Sequence, residues 1–230
     1  MNHCIAFFLP DLRAGGAEKV ILSLAKEISR RGYPVEVVVG SREGELSSKI
    51  PDGIPILDLG ISSASVSNVH FGLQALIRLS RYIRWRRPDC LLSTLTGANL
   101  TAVMAMRVAG KKSTALLLRE ASSRHNMGNF LRGWLVRMLY PYADACIAVS
   151  QGISDDLVST FGLRPDVVRT IHNPVDMQKI LDLATAPVAH RWVFPTATPF
   201  VIAAGRLQPE KGFDYLIREF HTIRDQTDSN

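Results

Sequence analysis

Two adjacent glycines, Gly15 and Gly16, separate an apolar run ending at Leu9 from a periodic segment that opens at Ala17. Paired glycines let a ligand approach the main chain, and the free N–H groups at a helix start attract an anion. The same pair also suits a turn that needs only positive φ. The loop is not G-x-G-x-x-G and the chain has no G-x-x-x-x-G-K-[ST], so the dinucleotide and P-loop fingerprints are excluded. A second phosphate-suited set lies in Gly205–Gly212, where Arg206 and Lys211 stand five residues apart ahead of a helical pattern. A guanidinium fork and an ammonium point charge beside a helix start suit a diphosphate. The bland alternative pairs Arg206 with Glu210 and leaves Lys211 on the surface.

Arg119-Glu120 directly follows an apolar run, Thr114–Leu118. A charged pair at that place points into the crevice where parallel sheets bind ligands, or is a plain ion pair. His125 lies five residues beyond Glu120 in a polar loop with Ser122, Ser123 and Asn126. Glu120 and His125 are the catalytic candidates, although a loop histidine also serves as a solvated residue. In Ile171-His172-Asn173-Pro174-Val175-Asp176, His172 or Asn173 faces a cleft, or Asn-Pro simply fixes a turn. No H-x-x-x-H or cysteine-ligand spacing occurs, so no metal is expected, and there is no G-x-S-x-G elbow.

The elements that position these residues alternate. Strands are predicted at Cys4–Leu9, Val35–Val39, Ile54–Leu59, Asp89–Thr94, Thr114–Leu118, Ala145–Val149 and Val167–Ile171. Helices are predicted at Ala17–Arg30, Phe71–Trp85, Ala98–Val108, Phe130–Tyr140 and Ser150–Thr160. The strands are apolar runs, as in a parallel sheet covered on both faces. The rhythm breaks after Ile171. Four prolines (Pro174, Pro187, Pro195, Pro199) follow, with a helical stretch only at Met177–Ala184. A new βα unit then begins, a strand at Phe200–Ala204 and a helix from Phe213 to about Ile223. The expected organisation is a Rossmann-like α/β domain over residues 1–176, a linker over 177–198, and the start of a second, truncated Rossmann-like domain over 199–230.

Length and composition agree: 230 residues with 47% hydrophobic and 21% charged describe a globular chain of one to two domains. No apolar run reaches the roughly 18 residues of a membrane span, and the N-terminus lacks the features of a secretory signal. Cys4, Cys90 and Cys146 are too scattered for a disulfide framework and are expected reduced and buried, which suggests the cytoplasm. The net charge of +6 is concentrated: residues 78–137 hold twelve Lys/Arg against two acids, Asp89 and Glu120. Such an excess attracts anions, or is a solvated arginine-rich surface.

Gly15-Gly16-Ala17-Glu18-Lys19-Val20, Asn173-Pro174-Val175-Asp176 and Gly205-Arg206-Leu207-Gln208-Pro209-Glu210-Lys211-Gly212-Phe213, in this order and at this separation, resemble the retaining glycosyltransferases of family 4, with the GT-B fold. The resemblance implies two Rossmann-like domains across a cleft, a nucleotide-sugar donor, often a UDP-sugar, and no metal or other cofactor. It implies that Arg206 and Lys211 grip the donor diphosphate, that Gly15 and Gly16 close on the phosphate or sugar, and that Asn173 marks the cleft or domain exit. The family's E-x7-E glutamates lie later than this chain reaches, and the middle strands end on Ser93-Thr94-Leu95-Thr96-Gly97 and Arg119-Glu120-Ala121, without the histidine that many members carry. The chain is therefore expected to have little activity alone.

On the helix Phe71–Trp85, Arg78, Arg81, Tyr82 and Trp85 are read as one membrane-facing set, with Arg132, Trp134 and Arg137 added from the next basic helix. Basic side chains beside amphipathic aromatics suit a bilayer interface; packing of the aromatics in the core is the alternative. The expectation is a cytoplasmic transferase, peripheral on the inner face of the membrane, that moves sugar with retention to a lipid-linked or oligosaccharide acceptor in cell-envelope polysaccharide or glycoconjugate biosynthesis. The competing expectation is a truncated, non-catalytic module that binds sugar or anions. Nucleic acid is not an expected partner, because RRM, KH and helix-turn-helix signatures are missing.

Overall fold

The apolar runs become seven strands: β1 Ile5–Leu9, β2 Val35–Val39, β3 Ile56–Asp58, β4 Cys90–Thr94, β5 Ala115–Glu120, β6 Ala145–Ala148 and β7 Val168–Thr170. They form one sheet in the order β3-β2-β1-β4-β5-β6-β7, and every ladder is parallel. The structure is a computed structural model and describes residues 4–13, 15–51, 53–61, 68–110, 113–122, 130–188, 190, 200–205, 207 and 209–227. Helices α1 Gly16–Arg30, α2 Asn68–Arg86, α3 Thr96–Ala109, α4 Phe130–Leu139 and α5 Gln151–Asp155 lie between the strands, and α5 runs on as a π turn over Asp156–Thr160. The chain divides into two compact units, Met1–Val175 and Asp176–Asn230.

Side chains alternate across each strand, so each strand feeds two cores. Ala6, Phe8, Val38, Leu91, Leu116 and Leu118 pack with Leu79, Ile83 and Tyr140 on one face. Phe7, Leu9, Val37, Val39 and Leu92 pack with Ile21, Leu22 and Ala25 of α1 on the other. Burial on both faces is the physical reason that β2 reads Val-Glu-Val-Val-Val without a polar face. Its one charged residue, Glu36, is buried and satisfied: the Tyr82 hydroxyl donates to it at 2.5 Å and Arg86 Nε approaches at 3.2 Å.

The second unit contains α6 Met177–Ala184, capped by Asp176 Oδ1, which accepts from the Lys179 N–H at 3.0 Å, and α7 Phe213–Thr227. Residues 200–204, expected as a strand, have no ladder partner among the described residues and are not a strand. β-structure exists only in pairs, and an apolar run has the right composition without having a neighbour.

The three cysteines are free thiols. Burial pushes Cys146 and Cys4 up to about 12 and Cys90 up to about 11, from an ordinary 9.0. A raised value means that the folded chain holds the proton more tightly than the unfolded one. This contribution is complete below pH 9 and is lost as pH climbs from 9 towards 12. The thermal midpoint is expected to stay level to about pH 8.5 and to fall steeply above pH 9, with Cys146 contributing about 1.4 kcal/mol per pH unit. Cys146→Ala should flatten the slope in a pH series of melting curves. A midpoint that stays level to pH 11 in the unaltered chain would contradict it.

Candidate functional site

The strand order reverses between β1 and β4, since the chain leaves β1 for β2 and β3 and returns to β4 on the other side of β1. Ligands of open parallel sheets bind beyond the strand ends at such a switch point. The loops leaving β1, β4 and β5 carry Gly15-Gly16, Leu95-Thr96-Gly97 and Ala121-Ser122 to that edge.

β5 runs two residues beyond its predicted end, so Arg119 and Glu120 belong to the ladder, with Thr94↔Arg119 and Glu120↔Ala148 in register. Adjacent strand residues point to opposite faces. The pair therefore diverges and is not an ion pair. Glu120 is fully buried on the α3 and α4 face. One carboxylate oxygen accepts the Thr96 hydroxyl at 3.1 Å and the Ala121 and Ser122 N–H groups at 3.1 and 3.0 Å. The other accepts the Tyr140 hydroxyl at 2.5 Å. Burial first, then the Glu120 charge, pushes the Tyr140 phenol well above its ordinary value, so it stays a donor. Asn99 Nδ2 donates to Tyr140 Oη at 3.1 Å and to the Arg119 carbonyl at 3.0 Å. Four donors and no exposed surface make Glu120 an anchor for the strand-to-loop turn. In this structure the catalytic candidate Glu120 is engaged in structural hydrogen bonds on both carboxylate oxygens.

Arg119 projects to the α1 face, buried at 5% exposure. Its guanidinium donates to Thr94 Oγ1 at 2.8 Å and to Asn173 Oδ1 at 2.5 Å. Burial lowers its pKa, and the charges of Glu120 and Glu18 oppose that shift. Asn173, expected at the cleft, thus reaches across β6 to β5, while His172 Nδ1 lies 3.2 Å from the Val149 carbonyl. Leu95, with φ of 73°, turns the chain so that Thr96 opens α3 over Glu120. A non-glycine residue in that region costs on the order of 1 kcal/mol and is held by the surrounding bonds.

Gly15 is the N-cap of α1, with φ of −83°, and Gly16 is its first residue. Neither has positive φ, so the simple-turn explanation falls away. A Cβ on Gly15 would lie 2.1 Å from Glu18 Oε2, whereas a Cβ on Gly16 would meet nothing within 4 Å. The buried Glu18 carboxylate thus covers the Gly15 side of the helix start, and the Gly16 side is open. In the second unit, Lys211 ends the turn Pro209–Lys211 and is exposed; its Cδ would lie 3.6 Å from a Cβ on Gly205. Gly212, with φ of 64°, sets the entry to α7, and its carbonyl accepts the first helical N–H, that of Leu216, at 3.0 Å. Arg206 and His125 lie outside the described residues.

The surface set on α2 needs correction. Tyr82 is buried, its hydroxyl bound to Glu36, and cannot face a membrane. Arg78 is exposed, and its guanidinium donates to the Leu59 and Gly60 carbonyls. The exposed stripe is instead Leu73, Ile77, Arg81 and Trp85, spaced four apart, with Trp85 at 74% exposure. On α4, Phe130, Trp134 and Met138 repeat that spacing, with Phe130 at 91% exposure. Arg132 is half-buried, and a Cβ on Gly97 would lie 3.5 Å from its guanidinium. No helix among the described residues is long and apolar enough to cross a membrane.

Sequence reasoning passed over Thr94, Thr96, Asn99 and Tyr140, the residues that hold the Arg119–Glu120 turn. The available signal was Ser-Thr-Leu-Thr-Gly at the end of an apolar strand, polar where continued burial would be cheapest with aliphatics. Glu18 was quoted only as part of a motif; its signal is its place three residues after the N-cap, where an acidic side chain folds back over a helix start.

The sequence model for Glycosyltransferase Family 4 matches residues 14–179, which include α1, both core faces and Asn173. The chain is 26% identical over 229 residues to the N-acetylgalactosamine-N,N'-diacetylbacillosaminyl-diphospho-undecaprenol 4-alpha-N-acetylgalactosaminyltransferase of Campylobacter jejuni, covering 96% of this chain and 60% of that protein. Among solved structures it is similar to a lipopolysaccharide outer core galactosyltransferase (TM-score 0.58, 18% identity, 75% of this chain and 46% of the other). It is also similar to an Anabaena protein in complex with UDP and glucose (TM-score 0.56, 18% identity, 76% and 45%). The chain thus spans 60% of the length of the Campylobacter relative and less than half of either structure. With a seven-stranded parallel sheet of this order and a family match over most of its length, the chain belongs to glycosyltransferase family 4.

Proposed function

We propose that this chain is the first domain, with the beginning of the second, of an enzyme that transfers a sugar from a nucleotide-sugar donor to a lipid-linked acceptor. The observation that carries this reading is the start of α1. A helix N-terminus stands at the switch point of the sheet, and at Gly16 no atom of the described residues outside its own helix turn lies within 4 Å of where a side chain would begin. Its backbone N–H groups suit a phosphate. The Campylobacter relative's acceptor is a diphospho-undecaprenol saccharide and the Anabaena structure holds UDP, which supports a UDP-sugar donor and a polyprenyl-diphosphate acceptor here. Transfer with retention, in envelope glycoconjugate synthesis, belongs to the same reading. Catalysis is electrostatic and positional: fixed donors and cations stabilise charge growing on the leaving diphosphate. Incubating the full-length gene product with radiolabelled UDP-sugars and a polyprenyl-diphosphate-linked saccharide tests the reading. Label should move to the lipid fraction, and no transfer from any nucleotide sugar would refute it.

The acceptor chemistry brings the membrane with it. The exposed stripes Leu73-Ile77-Arg81-Trp85 of α2 and Phe130-Trp134-Met138 of α4 support peripheral attachment to an anionic leaflet. Each basic residue at such a surface contributes about 1 kcal/mol. Flotation with anionic liposomes should carry the chain upward, and Arg81→Ser with Trp85→Ser should reduce the bound fraction at least about fivefold. Binding that ignores anionic lipid, or survives the double change, removes this attachment.

A further inference from the structure

Arg119 is a buried cation that no carboxylate among the described residues pairs with. β5 directs it to the α1 face at the C-terminal edge of the sheet, one strand from the switch point. Its two side-chain bonds go to neutral oxygens, Thr94 Oγ1 at 2.8 Å and Asn173 Oδ1 at 2.5 Å. The neighbouring Glu120 points through the sheet to the opposite face, where its oxygens are already engaged by four donors. Glu18 acts on Arg119 only as a nearby charge. A guanidinium carries five N–H donors in a planar fork, and two fixed bonds set its plane. Burying a charge without a paired counter-charge is costly, and such an arrangement at a ligand edge marks a binding group more than a structural one. Asn173 is exposed, so the guanidinium lies one side chain below the surface.

We infer that Arg119 is an anion-binding residue of the first unit: its guanidinium, held between Thr94 and Asn173, receives a phosphate oxygen of a diphosphate ligand. Thr94 and Asn173 are positioning residues, and the missing counter-charge comes from the ligand. The diphosphate belongs either to the nucleoside diphosphate of the donor or to the polyprenyl diphosphate of the acceptor. Only this ligand class rests on the transferase reading; the anion site itself rests on the geometry of Arg119.

The test is calorimetric titration of the 230-residue chain with inorganic pyrophosphate, UDP and farnesyl diphosphate at matched ionic strength. Pyrophosphate is expected to bind, and Arg119→Gln to weaken it about tenfold or more, the loss of a charge-assisted hydrogen bond. Arg119→Lys should keep part of the affinity. Asn173→Asp is isosteric and lies at the surface. It places a carboxylate on the guanidinium, so it should weaken pyrophosphate by a similar factor even if Arg119→Gln fails to fold. A loss shared by pyrophosphate and UDP but not by farnesyl diphosphate assigns the site to the donor, one shared by pyrophosphate and farnesyl diphosphate but not by UDP assigns it to the acceptor, and either supports the inference. Unchanged pyrophosphate affinity in Asn173→Asp, or no pyrophosphate binding by the unaltered chain, overturns it. Arg119-dependent binding without sugar transfer by the full-length gene product would leave this inference standing and sink the transferase reading; unchanged transfer in Asn173→Asp would do the reverse.

Discussion

Replacing Glu120 with alanine is expected to lower the unfolding free energy by about 3–5 kcal/mol, the usual cost of removing one member of a buried charged network. The carboxylate receives the Thr96 and Tyr140 hydroxyls and the Ala121 and Ser122 N–H groups, all at 2.5–3.1 Å, in a fully buried position. Alanine leaves those donors without an acceptor in a space closed to bulk water, and each unmet buried donor costs about 1–3 kcal/mol. A domain holds only about 5–15 kcal/mol in total, so the variant should be largely unfolded well below the melting temperature of the unaltered chain. Glu120→Gln keeps one carbonyl acceptor and should cost about 1–2 kcal/mol. Urea titration measures both through the midpoint at unchanged slope. A loss under about 1 kcal/mol in Glu120→Ala would show that the network is not what holds the turn. In the full-length gene product, Glu120→Gln should slow transfer only as far as the folded fraction falls. A larger drop would restore Glu120 to the chemistry.

This result separates what the sequence could show from what it could not. The strands were readable because a sheet buried on both faces needs uninterrupted apolar runs, and Val35–Val39 is one. The end of β5 was not. Two charged residues look like a loop, yet one is hydrogen-bonded from α3, the residue after α4 and the turn, and the other is held by β4 and the segment after β7. Their side-chain partners lie 20 to 54 positions away in sequence, beyond any local pattern. Tyr82 was misplaced for the same reason: helical spacing put it beside Arg81, but its hydroxyl answers to Glu36, 46 residues earlier. Gly15 and Gly16 were legible as the turn into a helix but not in their surroundings, since one makes room for the Glu18 carboxylate and the other leaves the helix start open. Local chemistry marks where a backbone is left open, and only the fold says which charges are already satisfied.

Lys211→Ala in the full-length gene product is expected to lower kcat/KM for the nucleotide sugar by about 10²–10³, the range seen when one preorganised charge donor to a transition-state oxyanion is removed. Lys211 is exposed at the end of the turn that precedes α7, and its Cδ lies close to Gly205. The glycine at 205 leaves room for the Phe213 ring, from which a Cβ there would stand only 3.3 Å. On the proposed transferase reading, an ammonium so placed, ahead of the start of α7, would meet a phosphate that gains negative charge as the sugar departs. Because that charge grows along the reaction, the loss should fall mainly on kcat, with a smaller change in KM. Arg206→Ala should act in the same range, and the double variant should cost less than the product of the two, since both cations serve one leaving group. Lys211→Arg should retain more activity than Lys211→Ala, because charge at that point outweighs shape. Steady-state rates for the four variants, read as separate kcat and KM effects, decide it: if both alanine variants stay within about threefold of the unaltered enzyme, the diphosphate is held elsewhere and this assignment of the second unit is wrong.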